Sequence, residues 1–282
     1  MIYMFTSRRL GAAAVVAMVA SLFGTSVQAV DLNGFLRERG HGDVAVSFTA
    51  EGYDEFWVGD EKVSDPGVGE VDTKSWSLWF AYGLTDRVTL FAELPYIDTE
   101  GDGLGQFEEK DWQDLSFLAA GRLFSFGDDV QHDFVGAAGI RTIAANYEAN
   151  SPVDVGDGTV DWLFRVVYLL RWRGLYFSQQ VGYDMRDADA PNGYPLYTEL
   201  GHTWGPVTAT AMYWHMTANG GTDIGDPGFT FPSNGDEFER IGAKVYGRIC
   251  PHFGVSGSYF WTIDGRNTGD TDGFSIGLNA SF

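Results

Sequence analysis

From about residue 43 to the last residue, apolar and polar side chains alternate with a period of two. In the final segment Phe274, Ile276 and Leu278 fall on one face, and small or polar residues fall on the other. Successive side chains of a β-strand point to opposite faces of a sheet, so this alternation predicts strands. The pattern recurs along the chain, and we therefore predict an all-β fold.

Segments of this kind number about twelve, and each is bounded by Gly, Asp, Asn or Pro residues that favour turns. They are rich in aromatic, β-branched and small residues, which suit a pleated and partly buried surface. Their approximate ranges are 43–53, 74–84, 87–97, 112–124, 131–144, 159–171, 174–185, 195–204, 206–217, 237–249, 252–262 and 272–282.

The connections between the segments alternate in length. Tight turns lie at Thr85-Asp86, 125–130, Trp172-Arg173, Gly205 and Cys250-Pro251. Long connections, rich in Asp and Glu, span 54–73, 98–111, 145–158, 186–194, 218–236 and 263–271. Outer-membrane barrels have short periplasmic turns and longer outer loops, whereas nothing in a soluble sandwich requires this alternation. We predict a single antiparallel transmembrane β-barrel of about twelve strands at residues 43–282, with long acidic outer loops and both termini on the periplasmic side.

The alternation also predicts which face meets lipid. Trp162, Phe164 and Val166 share a face, and Arg165 and Arg171 lie opposite. An arginine facing lipid costs about 2–4 kcal/mol at the membrane midplane, so charged residues should face the lumen. They either pair to satisfy a polar interior or form a positive constriction that favours anions. The predicted lumen and solute-facing residues are Glu93, Arg122, Arg141, Arg165, Arg171, Glu199, Lys244 and Arg248.

Aromatic residues cluster near the segment ends, where amphipathic rings prefer the level of the lipid headgroups. Outer-membrane lipid and lipopolysaccharide are therefore expected partners. The aromatic C-terminal strand resembles the signal by which barrels engage their assembly machinery. The predicted membrane-interface aromatics are Trp76, Trp112, Trp162, Trp172, Trp204, Trp261 and Phe282.

The chain before the barrel has the features of an export signal. Arg8 and Arg9 precede an apolar run at 11–23, which is shorter than the roughly twenty residues of a membrane helix. We expect residues 1–29 to be a cleaved signal peptide and the protein to reach the bacterial outer membrane. Residues 30–42 would then form a periplasmic tail or a small plug, and the sequence leaves both open.

Composition excludes several classes of protein. The chain has a formal net charge of −21, yet 15% of its residues are aromatic, so it is not a disordered acidic protein. We expect no nucleic-acid partner for so acidic a chain. One cysteine, Cys250, cannot form an internal disulfide, and no His/Cys cluster has zinc-ligand spacing.

One loop matches a calcium-binding pattern. Asp98, Glu100, Asp102 and Glu109 occupy acidic positions 1, 3, 5 and 12 of such a loop, with glycine at position 6. Flanking helices are absent, and Gly105 replaces the usual apolar residue at position 8. The sequence predicts no cofactor, and calcium at 98–109 is the one alternative that this pattern leaves open.

No hydrolase triad is evident along the chain. A serine nucleophile needs a histidine within hydrogen-bond reach, and no histidine has a serine two residues away on its face. Thr217 beside His215 is the nearest hydroxyl, and His202 falls with Trp204 on the predicted lipid-facing row. Cross-strand pairs remain open, but we predict no catalytic residues and no enzyme activity.

A stretch of about forty residues resembles a known family. The sequence YGLTDR at 82–87, the tripeptide LPY at 94–96, Asp114-Leu115 and Arg122-Leu123 are similar to the outer-membrane transporters of the MetA pathway of phenol degradation. Gln113 stands where that family usually has glycine. The resemblance implies a twelve-stranded barrel for passive uptake of small organic solutes, with aromatic compounds as candidates.

Two other functions remain open on the sequence. One is a porin for anions or acidic oligosaccharides, which would use the arginines of the lumen. The other is a plugged structural barrel whose surface loops bind partners.

Overall fold

A computed structural model describes residues 31–64, 69–102, 107–147, 155–156, 158–187, 190–227, 229 and 233–282. The predicted signal peptide lies outside these residues. Within them, no helix is long and apolar enough to cross a membrane. The described strands are β1 (Gly42–Tyr53), β2 (Glu55–Val58), β3 (Glu61–Ser64), β4 (Val71–Thr85), β5 (Val88–Gly101), β6 (Phe107–Trp112), β7 (Leu115–Phe126), β8 (Gln131–Thr142), β9 (Asp161–Trp172), β10 (Leu175–Arg186), β11 (Asn192–Trp204), β12 (Val207–Asn219), β13 (Glu237–Cys250), β14 (Phe253–Arg266) and β15 (Asp272–Ser281).

Twelve of these strands close into one antiparallel barrel. The first strand β1 pairs with the last strand β15, with Asp43 opposite Ser281, and β1 also pairs with β4. β4 pairs in turn with β5, so no edge is left open. β2 and β3 form a separate hairpin in the first long connection. The predicted twelve-stranded antiparallel fold is confirmed.

The predicted long loop at 98–111 is wrong in part. β5 continues to Gly101, and β6 pairs with its outer half from Tyr96 onward, so much of this connection is a protruding hairpin. The segment predicted as one strand from 112 is interrupted after Trp112 and resumes at Leu115. Pro95 lies opposite this interruption and has no N–H to donate to the ladder, which explains the break.

The two faces of the barrel follow the predicted alternation. On β9, Trp162 and Phe164 are 51% and 44% exposed, whereas Leu163 and Arg165 are 0% and 2% exposed. Along β15, Phe274, Ile276 and Leu278 are likewise exposed between buried inward positions. Large apolar side chains therefore cover the outside of the barrel, as lipid requires and water would penalise.

The interior of the barrel holds two apolar clusters among buried polar and charged side chains. One cluster surrounds Leu32, which precedes β1, and includes Trp79, Phe91, Leu118 and Leu163. These residues are at most 2% exposed, so the interior at their level is filled. The second cluster lies on β11 to β14 and consists of Tyr197, Met212, Trp214, Met216, Phe238 and Phe260.

Three of the long connections pack together at one end of the barrel, and Asn267 joins them. Asn267 Oδ1 accepts hydrogen bonds from the backbone N–H groups of Gly59 (2.9 Å) and Ile224 (3.0 Å). Its Nδ2 donates to Asp223 Oδ1 (2.9 Å) and to the Gly235 carbonyl (3.2 Å). Asn267 is 2% exposed and has a φ of 52°, which asparagine tolerates better than most residues.

The β2–β3 hairpin is further fixed to this group of loops by charge. Lys62 pairs with Asp270 and with Glu55 (2.6 Å), and these hydrogen bonds raise the pKa of Lys62. The backbone of Trp57 donates to the Thr268 carbonyl (2.8 Å). The loops therefore form one connected cap over this end of the barrel, which we call the loop cap (residues 55–64, 222–227 and 266–271).

We expect Asn267→Ala to loosen the loop cap, because it leaves the buried N–H group of Gly59 without an acceptor, at about 1–3 kcal/mol, and also removes the acceptor of the part-buried Ile224 N–H. The measurement is the rate of trypsin cleavage after Lys62 in the intact protein, which should rise severalfold. Asn219→Ala, at an exposed position at the end of β12, is the matched control. Equal cleavage rates in both variants would show that Asn267 does not hold the cap.

Candidate functional site

The segment before β1 lies inside the barrel. Leu32 N donates to Gln180 Oε1 (2.7 Å), and Asn33 Nδ2 donates to Glu199 Oε2 (3.1 Å). Trp214 Nε1 donates to Asp31 Oδ2 (2.9 Å). These partners are inward-facing residues of β10, β11 and β12, so residues 31–36 cross the lumen; we call them the inner segment.

The inner segment leaves the lumen along β4 and β5. Arg37 forms an ion pair with Asp43, and its backbone N donates to Thr89 Oγ1 (2.7 Å). The backbone of Gly40 then donates to the Gly83 carbonyl (2.9 Å). A Cβ at Gly83 would lie 1.9 Å from the Glu38 carbonyl oxygen, so glycine is required for this close approach.

A group of paired charges lies at one level of the lumen. Arg165 forms an ion pair with Asp184, and both side chains are fully buried. Arg141 Nη1 lies 3.3 Å from Asp161 Oδ2, and Arg141 Nη2 lies 3.6 Å from Asp184 Oδ2. Glu93 is also buried and interacts electrostatically with Arg141. The two arginines named here thus face three carboxylates, and neither arginine lacks an acidic partner.

The other predicted cations divide into paired and unpaired residues. Arg171 Nη2 lies 2.5 Å from Asp133 Oδ2, and Arg122 Nε lies 3.5 Å from Asp133 Oδ1. Lys244 Nζ lies 2.9 Å from Glu199 Oε1. Arg248 is half-buried near the end of β13, and its backbone N donates to the Pro206 carbonyl.

Sequence reasoning missed the three aspartates that neutralise these arginines. Asp133, Asp161 and Asp184 are buried on inward positions of β8, β9 and β10. The sequence pattern could have indicated that Asp161 faces the lumen. Asp161 and Arg165 are separated by an even number of positions, so they lie on the same face of the strand. Most of the predicted lumen arginines thus lie in ion pairs, and a broad positive constriction is not what the geometry shows.

One arginine omitted from the predicted set differs from these. Arg240 lies inward on β13, with its Cζ 4.5 Å from the ring centroid of Phe238 and 5.9 Å from that of Phe260. Its Nε donates to Thr262 Oγ1 (3.1 Å). Together with Trp214 and the other members of the second cluster, these rings form an aromatic and thioether surface on inward positions of β11 to β14.

The predicted interface aromatics all point outward. Trp162 is the second residue of β9, while Trp172 and Trp204 end β9 and β11. His202 stacks on Trp204 with a centroid separation of 4.3 Å, on the outer face as predicted. The exposed fractions are 55% for Trp76, 44% for Trp112, 51% for Trp162, 44% for Trp172, 59% for Trp204, 41% for Trp261 and 54% for Phe282.

The structure does not bring the four predicted calcium ligands together. Asp98 pairs with Lys110 (3.2 Å) and Glu100 pairs with Lys74 (3.5 Å) along the β5–β6 hairpin, while Asp102 accepts from the Glu70 backbone. Among the described residues, no group of three His, Cys, Asp or Glu side chains could hold a metal ion. Calcium binding at 98–109, including Glu109, stays a prediction.

The nearest arrangement to a hydrolase triad lies on the outer face. His215 Nε2 lies 2.6 Å from Thr217 Oγ1, and His215 Nδ1 lies 3.3 Å from Glu239 Oε1 on the neighbouring strand. The Nδ1 atom makes no hydrogen bond within the described residues, so Glu239 does not orient the ring as an acid does in a working triad. The backbone N–H groups around it serve the β12–β13 ladder, which leaves no oxyanion site.

The fold and its interior define a class: a twelve-stranded β-barrel of the outer-membrane type that holds its own N-terminal segment. An outer membrane channel from Pseudomonas putida F1 has a similar structure, with a TM-score of 0.75 and 13% identity over 90% of this chain and 100% of that chain. No family model matches the sequence, and no curated protein has a similar sequence.

Two autotransporter domains have a more distant similarity. The translocator domain of NalP from Neisseria meningitidis gives a TM-score of 0.51 at 10% identity, over 87% of this chain and 90% of that one. The β domain of the Bordetella autotransporter BrkA gives 0.50 at 14% identity, over 86% and 99%. At these identities the similarity shows the fold alone.

Proposed function

We propose that this protein is an outer-membrane channel that passes small organic solutes with an apolar body. The observation that carries the proposal is the aromatic and thioether surface on β11 to β14, which includes Met212, Trp214 and Phe260. The free-energy cost of desolvation on entering such a passage is smaller for an apolar solute than for an ion or a sugar. The fold shared with the outer membrane channel from Pseudomonas putida F1 supports a channel function for this chain.

The inner segment determines when such a passage is open. Leu32 and the side chains around it fill the lumen on the β4–β9 side, and the second cluster packs on the opposite side. A solute can pass only if side chains or the inner segment move aside. Methionine side chains such as Met212 and Met216 adapt readily to a passing molecule, because they are unbranched and flexible.

The two alternative functions have weaker support. An anion-selective porin needs uncompensated positive charge, and Arg141, Arg165, Arg171 and Lys244 are all paired with carboxylates. A plugged barrel that only binds partners would suit the filled lumen. It would not need an inner segment held mainly by a few hydrogen bonds to lumen side chains.

Planar-bilayer recording of the purified protein tests the proposal. We expect steady unitary currents, and slower growth or uptake of a knockout strain on a panel of small organic compounds. Strong anion preference in the reversal potential would favour the porin instead. Complete absence of current together with normal uptake in the knockout would leave only the plugged barrel.

A further inference from the structure

We propose that Arg240 and the phenyl rings of Phe238 and Phe260 form a binding site for a small organic carboxylate. The inference rests on the proposed function, because it names the class of solute that the passage would select. The guanidinium would bind the carboxylate and the rings would contact the apolar body. Arg240 and Phe238 lie on β13, and Phe260 lies on β14. Arg240 is three residues from the first residue of β13.

A hydrogen bond fixes one edge of the Arg240 guanidinium, and the N–H donors of the other edge face no protein acceptor among the described residues. Its Nε donates to Thr262 Oγ1 (3.1 Å), which fixes the plane of the guanidinium beside the rings. Within the described residues, its terminal nitrogens make no hydrogen bond or ion pair. Two parallel N–H donors in a fixed plane match the two oxygens of a carboxylate.

Arg240 differs from the other inward cations in combining open donors with aromatic contacts. Among the described residues Arg248 also lacks an ion pair, but no aromatic ring lies against its guanidinium. Arg141, Arg165 and Lys244 each have a carboxylate within 4.0 Å, and all three are buried. Arg240 is half-buried, and the carboxylate that acts on its charge is Glu51 of β1, outside ion-pairing distance. A cation in the lumen whose N–H donors have no protein partner can bind a solute directly, whereas a paired cation already binds a carboxylate.

The surroundings of Arg240 fit an apolar body rather than a sugar. Trp214 lies 6.5 Å from Phe260, centroid to centroid, and Met216 and Phe238 complete the same apolar cluster. A phenyl or short alkyl group placed there would keep the contacts of an apolar pocket. An acidic oligosaccharide would bring hydroxyl groups to a surface with few polar partners for them.

The test compares benzoate with benzamide, its neutral analogue of the same shape. We expect isothermal titration of the folded protein in micelles to show benzoate binding at least about tenfold more tightly, since only benzoate can make charge-assisted hydrogen bonds to the guanidinium. Arg240→Gln should abolish this preference, and Arg240→Lys should retain part of it. Arg173→Gln, which changes an exposed turn arginine, is the matched control and should bind as the native protein does.

The shift in gel mobility on heating verifies that each variant is folded. If the glutamine variant does not fold, the lysine variant still tests the site. Equal affinity for benzoate and benzamide in the native protein overturns the site, as does an Arg240→Gln variant that keeps the preference. Bilayer current separates this failure from that of the proposed function. A protein that conducts without preferring benzoate rejects only the Arg240 site, and one that prefers benzoate without conducting rejects only the channel.

Discussion

Replacing the inner segment, residues 31–36, with a Gly/Ser sequence of the same length is expected to raise single-channel conductance severalfold. The native segment is held by side-chain contacts, among them Asn33 with Glu199 and Asp31 with Trp214. Leu32 adds apolar burial, being 2% exposed within the first cluster. A Gly/Ser chain lacks all of these contacts, and ordering it costs about 1–2 kcal/mol per residue. It should therefore leave the lumen.

Planar-bilayer recording at fixed salt measures this change. Arg39→Gln is the matched control, because Arg39 belongs to the same stretch of chain but is exposed. Gly83→Val should act in the same direction as the Gly/Ser sequence, since a side chain there would collide with the Glu38 carbonyl. An unchanged conductance in both variants would mean that the inner segment does not limit passage.

The alternation of side chains was sufficient to predict the barrel. On β9 the outward position of Trp162 and the inward position of Arg165 follow from parity alone, because a strand has a period of two. Closure also followed, since twelve segments with alternating turns leave no edge. The alternation does not identify the partner of a residue on a neighbouring strand. The aspartates paired with Arg165 and Arg171 were therefore missed.

The hairpin at 98–111 shows why local composition misleads. Asp98, Glu100 and the glycines that follow are poor strand formers and were interpreted as a loop. In the structure, cross-strand contacts with Lys74 and Lys110 oppose these acids and sustain the strands beyond the barrel. The pairing depends on which residues lie opposite one another, and the sequence does not specify that register by itself.

The candidate site was harder to predict because it is assembled from distant residues. Asn33 and Glu199 are separated by 166 positions, and only the closed barrel brings them together. The sequence left open whether residues 30–42 form a tail or a plug, since a short polar stretch fits both. The period of two places Arg240 on the same row as Lys244 and Arg248, but whether it has an ion-pair partner is visible only when the neighbouring strands are in place.

Glu199→Gln is expected to destabilise the barrel by about 3–5 kcal/mol, because it leaves Lys244 as a buried charge without a partner. Glu199 Oε1 accepts from Tyr197 (2.5 Å) and Lys244 (2.9 Å), and Oε2 accepts from Tyr176 (2.9 Å) and Asn33 (3.1 Å). Both oxygens thus face donors. In either orientation the N–H₂ group of the amide would face one group that can only donate, Lys244 Nζ or Asn33 Nδ2, so a flip does not remove the conflict.

Guanidinium unfolding of the protein in micelles, followed by the change in gel mobility, measures the loss. Lys110→Gln is the control for removing a charge, since its ion pairs with Asp98 and Glu108 are exposed and contribute little to stability. The double variant Glu199→Gln/Lys244→Met should recover part of the lost stability, because it removes the unpaired charge as well. If Glu199→Gln alone costs no more than Lys110→Gln, the Glu199 pair is not what fixes the inner segment and β13 to the middle of the barrel.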